Sequence, residues 1–366
     1  MPNVVTTAET RLVSLDAFRG ATIALMILVN TPGDADVTYW PLKHAEWHGW
    51  TPTDVVFPSF LWIAGIALTL AFERRVAAGV TRQQLFLQTA RRALILYAIG
   101  VFLGGVPRFD LATLRWMGVL QRIAICGLSG AAIYLTTRVR GRVVWIVGLL
   151  AAYWALMMLV PVPGYGAGRL DVEGNLAHYV DRVALGAHNW AETKTWDPEG
   201  LVSTLPAIAT FLFGTLAGTW LRSARPRGER LAWLAGAGSG LIALGLVCSQ
   251  WLPINKKIWT STFAIFMAGI DCVIYAATAW LVDERGWRTP VKPLVILGMN
   301  SIAVYIAAEL FDMALYVTDV RDAIYEAAFV PFASAANASL LYACAYTLLM
   351  FAFAWLLYRR RIFIRV

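Results

Sequence analysis

The sequence predicts an all-α, polytopic integral membrane protein with about ten transmembrane helices, forming a single domain over residues 1–366. Three observations predict it. Hydrophobic residues make up 59% of the chain and charged residues only 15%, whereas soluble domains carry about a quarter charged residues. Five apolar runs contain no charge: Val55–Phe72, Val143–Val160, Leu201–Leu221, Leu231–Leu252 and Ala338–Tyr358. Each approaches or exceeds the ~20 residues that cross a hydrocarbon core. None of the five alternates with period two, which excludes a lipid-embedded barrel and leaves helices.

Taken in order, the first span is Leu15–Asn30, entered through Ser14-Leu-Asp16-Ala-Phe-Arg19-Gly20. The second, Val55–Phe72, has a helix start in front of it, with Thr51 as N-cap and Pro52 at the first position. The third, Ala93–Val106, follows a basic connection holding Arg82, Arg91 and Arg92. The fourth, Trp116–Thr137, encloses Gln121-Arg122, and the fifth is Val143–Val160. Leu201–Leu221 and Leu231–Leu252 are the sixth and seventh. The eighth, Ile258–Val282, carries Asp271 midway, and the ninth, Pro293–Leu310, carries Asn300, Ser301, Tyr305 and Glu309. Ala338–Tyr358 is the tenth.

The net charge of +8 is a topology signal and not a nucleic-acid signal. Most Lys and Arg residues fall in alternate connections and at the ends of the chain: Arg11, Arg74, Arg75, Arg138, Arg222, Arg285, Arg359 and Arg365 belong to this set. By the positive-inside rule this places both termini in the cytoplasm and the protein in the inner (cytoplasmic) membrane. Cys126, Cys248, Cys272 and Cys344 lie inside predicted helices without a close pair, as small apolar fillers. There is no metal-ligand spacing, glycine-rich phosphate loop, nucleophile elbow or internal repeat. Met1–Ser14 does not read as a cleaved signal peptide.

The opposite connections are elaborate. Thr31–Thr53, Pro161–Gly200 and Phe311–Asn337 hold all four histidines and most of the acids. Pro161–Gly200 is too long for a passive link. The densest polar patch runs from Asn30 through Lys43-His44-Ala-Glu46-Trp47-His48 to Asp54. His44 has the chemistry of a general base or acyl carrier. Asn30 is able to donate to a developing oxyanion, and Asp54 to orient His44. The bland alternative is an interfacial loop with a well-capped helix behind it. Asp16 and Arg19 form a local pair or leave Arg19 to meet an anion. Arg122 and Asp271, inside spans, are expected to face a partner or a cavity. Ser301, Tyr305 and Glu309 make one polar stripe, lining either a helix contact or a cavity. Asn255-Lys256-Lys257 before Trp259, and Trp196-Asp197-Pro198-Glu199-Gly200, read as turns with interfacial anchors.

Seven segments in order, Ser14–Gly20, Lys43–Gly49, Asp54–Pro58, Gly118–Arg122, Trp196–Gly200, Pro253–Lys256 with Trp259, and Gly298–Ser301 with Tyr305 and Glu309, together resemble the transmembrane domain of the heparan-α-glucosaminide N-acetyltransferase family. The resemblance runs from Arg11 to Val366. It implies a prokaryotic member that moves acetyl from cytoplasmic acetyl-CoA to an amino sugar or glycan across the membrane, with no metal. It implies that His44 is the active-site histidine and that Asn30 works beside it; Asp54 and Glu309 are expected, from the residues themselves, to orient the site. Arg19, Arg91, Arg92, Arg122, Asn300 and Ser301 are expected to meet the donor. Trp47, His48, Asp197, Asn255 and Trp259 are expected to meet the acceptor. A cavity through the bundle would let the slender pantetheine arm bring the thioester to His44. His48 departs from the family pattern, where asparagine stands, and Asp271 falls at a position that is apolar there. O-acetylation of an exported glycan is the nearest variant. A transporter or channel lined by Arg122, Asp271 and Glu309 is the rival, and it predicts broken helices and repeats. Membrane lipid surrounds the bundle, and its exposed helix faces leave room for a homodimer.

Overall fold

A computed structural model describes residues 12–364, so Arg11 and Arg365 of the basic set lie outside the described residues. Among these residues the chain is helical throughout, with no named strand. The spanning helices are α1 (Val13–Asn30), α2 (Val56–Ala77), α3 (Arg82–Gly105), α4 (Val119–Thr136) and α5 (Val139–Leu159). A short α6 (Leu176–Ala184) sits in the long connection. Then come α7 (Thr204–Leu221), α8 (Arg227–Cys248) and α9 (Ser261–Ala279), which ends in one π-helical turn. The bent pair α10 (Lys292–Met299) and α11 (Ser301–Val317), the short α12 (Val320–Ala328) and α13 (Ala335–Arg359) complete the set. Among the described residues nine helices are long and apolar enough to cross a membrane, and the spans number ten when the bent pair is counted as one.

Each expected span has its helix, with two corrections. Arg82, Arg91 and Arg92 are not in a connection. A capping box starts α3 at Arg82: Gln84 N–H donates to Thr81 Oγ1 at 3.2 Å while Thr81 N–H donates to Gln84 Oε1 at 3.0 Å. The helix therefore begins well before its apolar stretch, because long arginine side chains can reach the interface from inside a span. The ninth span is not one helix: it turns by 80° at Asn300.

α2, α7 and α9 form the centre of the bundle, while α3, α5, α8 and α13 are its less buried members. The central contact is close because of glycine. A Cβ on Gly214 of α7 would stand 2.0 Å from the Trp62 carbonyl oxygen of α2, and one on Gly65 would stand 2.2 Å from that of Phe211. Small residues let spanning backbones approach where lipid offers no hydrophobic drive. The same device joins α1 to α10, where a Cβ on Gly298 would lie 2.0 Å from the Asp16 carbonyl oxygen.

With ten spans, both ends of the described chain lie on one face, here called the basic face. The other, the loop face, carries the connections α1–α2, α3–α4, α5–α7, α8–α9 and α11–α13. Those connections are folded. Arg321 of α12 donates to the Pro32 carbonyl at 2.7 Å, and Ser339 Oγ of α13 donates to that of Asp34 at 2.8 Å. The segment leading to His44 is thereby braced by the last two helices.

Candidate active site

Two charged clusters meet on the loop face. The first is built on the start of α2. Asp54 is fully buried, and its Oδ2 accepts the backbone N–H groups of Thr51 at 2.9 Å and Ala45 at 3.1 Å. The residue that caps the turn also holds His44: Nδ1 lies 2.7 Å from Asp54 Oδ1. A carboxylate with these donors accepts, so Nδ1 carries the proton and Nε2 keeps its lone pair. The capping and orienting readings of Asp54 are thus satisfied by one side chain. The His44 ring is 45% exposed.

Lys256, taken from sequence as an anchor, turns inward. Its Nζ lies 3.0 Å from His44 Nδ1, 3.2 Å from Nε2 and 3.7 Å from Asp54 Oδ1. Burial and the Lys256 charge hold the His44 imidazole below its ordinary pKa, against the opposite pull of the Asp54 hydrogen bond. The Lys256 loop is fixed to the His44 loop by a Gly49 N–H to Ile254 carbonyl bond of 2.7 Å. Asn255 is fully buried and donates to His48 Nδ1 at 3.3 Å.

The second cluster precedes α7. Arg115 donates from Nε and Nη2 to the two Asp197 oxygens, both at 2.7 Å, and from Nη2 to Glu199 at 2.6 Å. Burial opposes the Arg115 charge, but Asp197 and Glu199 overcome it and raise its pKa. Burial would raise the Glu199 carboxyl as well; Arg115, Arg122 and Lys256 together bring it below its ordinary value. Asp181 of α6 accepts the Leu201 N–H at 2.9 Å, and burial lifts its pKa to about 6.

Arg122 of α4 is buried completely. It donates to Ser203 Oγ and, at 3.1 Å, to the Gly200 carbonyl, and it lies 5.1 Å from the centre of the Trp259 ring. Arg122, expected to meet the donor, ties α4 to the start of α7 and is not on the wall of the cavity described below. Asp197 and Trp259 are 1% exposed and face Arg115 and Arg122, so they underpin the site instead of presenting a surface to an acceptor. Trp47 is half-buried, with its indole N–H on the Leu170 carbonyl at 2.9 Å, while His48 is exposed. Asn30, the last residue of α1, is exposed. Glu309 on α11 is half-buried and has no hydrogen bond to His44 or Asp54 among the described residues.

A cavity of about 1260 Å³ opens on the basic face. Arg19, Arg74, Arg75, Arg92 and Arg230 are on its wall, with Ser301 and Tyr305; Arg91 is not. It follows α2 inward as far as Phe60 and reaches Val119, the first residue of α4. From Arg74 to Phe60 is roughly 21 Å of helix at 1.5 Å per residue. No wall residue comes from the loop that carries His44. The expected continuous passage is therefore a deep pocket, separated from Asp54 by about 9 Å of chain along the start of α2. Asn300 is 1% exposed and stands off the wall. Its Nδ2 donates to the Ile362 carbonyl at 3.0 Å, and its Oδ1 accepts the Ile364 N–H at 2.9 Å. Phe363 and Ile364, held this way, are wall residues themselves.

Sequence reasoning missed Lys256, Glu199 and Arg115 as members of the site. The available signal was their charge on the elaborate side of the bundle, next to buried-helix boundaries.

Residues 11–254 match the family model described as heparan-α-glucosaminide N-acetyltransferase, catalytic. The chain is 28% identical over 357 residues to the human protein of that name, covering 82% of this chain and 53% of that protein. It is 27% identical over 366 residues to the mouse protein, covering 85% and 55%. The chain thus spans about half the length of the curated relatives it matches.

Proposed function

The chain belongs to the heparan-α-glucosaminide N-acetyltransferase catalytic family, and on that premise we propose that it is a transmembrane acetyltransferase with His44 at its centre. The basic face is the cytoplasmic one and the loop face the outer one. Acetyl-CoA enters the 1260 Å³ cavity with its phosphates among Arg19, Arg92 and their arginine neighbours, and its pantetheine arm directed toward Phe60 and Val119. The acceptor is an amino sugar held at the outer loops. The observation that carries this reading is the 2.7 Å contact between Asp54 Oδ1 and His44 Nδ1, which leaves Nε2 its lone pair.

Two routes use the same atom. In direct transfer the amine attacks the thioester carbonyl, Nε2 takes the amine proton, and coenzyme A leaves as the thiol once protonated. In the covalent route Nε2 attacks first, coenzyme A leaves, and the amine then displaces the acetyl group from the ring. Asn30 stabilises the oxyanion in either route, and Glu309 orients the acceptor side. Both require the layer between the pocket and Asp54 to open. An acceptor hydroxyl in place of the amine gives the O-acetyl variant, recognised by the lability of its product to hydroxylamine. The broken α10–α11 pair favours the transport alternative, yet the polar side chain at the break, Asn300, is spent on the backbone of the 362–364 segment.

Purified protein supplied with acetyl-CoA and glucosamine tests the reading, with coenzyme A release as the readout. Release by the wild type, its loss in His44→Ala, and retained acetyl-CoA binding in both are expected. Equal release by the two proteins would sink the role of His44, and no acetyl-CoA binding by either would sink the acetyltransferase reading.

A further inference from the structure

We infer that Lys256 is a positioning residue that keeps the His44 imidazole uncharged, with its proton on Nδ1 and its lone pair on Nε2. This rests on the reading of His44 above and adds what sets its protonation state. A histidine bonded to a buried carboxylate alone favours the imidazolium, because the carboxylate stabilises the second proton. Such a ring is neither base nor nucleophile. The structure supplies the counterweight.

The Lys256 ammonium lies nearly equidistant from the two ring nitrogens, at 3.0 and 3.2 Å. It is thus not directed along the Nε2 lone pair alone, and its charge bears on the ring as a whole. It also lies 3.7 Å from Asp54 Oδ1, where it offsets the carboxylate as His44 feels it. This lysine is not a loose surface side chain. It is 17% exposed, and its loop is closed by the Trp259 N–H on the Lys256 carbonyl and the Thr260 N–H on the Asn255 carbonyl, both at 3.0 Å. Trp259 takes a left-handed φ of 48° to complete that turn, a conformation that a bulky residue holds only when its surroundings fix it.

The charged groups that act on His44 are Asp54 from the start of α2, Lys256 from the α8–α9 loop and Glu199 from the segment before α7. Glu199 is already engaged by Arg115 at 2.6 Å. The carboxylates Asp54, Asp197 and Glu199 thus have the cations Lys256, Arg115 and Arg122 around them, which weakens their hold on an imidazolium. Two unit charges at this separation interact strongly even at an intermediate dielectric, so removing Lys256 has a large effect on the ring.

The experiment reads His44 without substrate. Carbethoxylation of the His44 peptide by diethyl pyrocarbonate is followed by mass spectrometry between about pH 5 and pH 9, since only the neutral ring reacts. Wild type, Lys256→Met, Lys256→Gln and Lys256→Arg are compared, with size-exclusion behaviour in detergent as the check on folding. The reactivity midpoint is expected to rise by about one pH unit or more in the Met and Gln variants, and to stay near wild type in Lys256→Arg. The acid limb of kcat/KM should move with it. An unmoved midpoint in a folded Met or Gln variant overturns the proposal, whatever happens to turnover. A shifted midpoint in a protein that transfers no acetyl group upholds the role of Lys256 and rejects the acetyltransferase reading instead.

Discussion

On the loop face, charged side chains are fixed by short hydrogen bonds to named partners: Asp54 to His44, Arg115 to Asp197 and Glu199, Arg122 to Gly200 and Ser203. On the basic face, arginines from α1, α2, α3 and α8 line a wide and mainly apolar pocket. The first arrangement is preorganised, and suits chemistry that needs a reacting atom held within a fraction of an ångström. The second is an electrostatic funnel, and suits capture of a polyanion whose exact pose is set elsewhere. Disturbing one side chain should therefore be severe on the loop face and graded on the basic face.

The largest effect expected is at His44. His44→Ala should lower turnover by about 10²–10⁴-fold, the usual weight of a positioned acid–base group, with coenzyme A release measured at saturating donor. A loss below tenfold would break the comparison at its strongest point. Next is Arg115→Met, which leaves Asp197 and Glu199 buried without their shared cation. Breaking a buried pair in this way costs on the order of 3–5 kcal/mol, and should appear as a large drop in thermal midpoint in detergent.

Asp181 gives a smaller effect with a definite sign. Its folded pKa of about 6 lies above the ordinary carboxylate value, so the folded state holds the proton more tightly. Stability from this group is present at low pH and declines as pH rises from about 4 through about 6, by up to ~2–3 kcal/mol. Asp181→Asn should flatten that part of the pH–stability curve relative to wild type. On the basic face, Arg92→Gln should raise the KM for acetyl-CoA several-fold and leave kcat nearly unchanged, removing roughly 1 kcal/mol of diffuse attraction. A collapse of kcat in this variant would mean that the pocket, too, is a precise device.

The sequence carried the spans, because an apolar run long enough to cross lipid is visible without any knowledge of neighbours. It misplaced boundaries where charge belongs to a helix, as at Arg82, Arg91 and Arg92, since composition alone cannot separate an arginine in a connection from one reaching out of a span. The His44–Asp54 pair was legible because both residues belong to one local motif, a capped helix start ten positions after the histidine. Lys256 was not, because 212 residues separate it from the ring it touches. Arg115 and Glu199 were hidden for the same reason, as was the partner of Asp197: these three side chains pair only when the α3–α4 and α5–α7 connections meet. Asn300 was legible as a special residue, but its partners are backbone groups of the 362–364 segment, and backbone groups leave no mark in a sequence.

That clasp at Asn300 bears on how the protein is made. Residues 362–364 follow every spanning helix in the chain, and they form part of the pocket wall only after α13 has crossed the membrane and turned back to Asn300. The pocket wall is thus complete only after α13 has been made, and a ribosome-bound chain paused before α13 would lack both that wall and the Ser339 brace on the segment leading to His44. A bulky group inserted directly after residue 364 would press on the same wall unless a long spacer separated them.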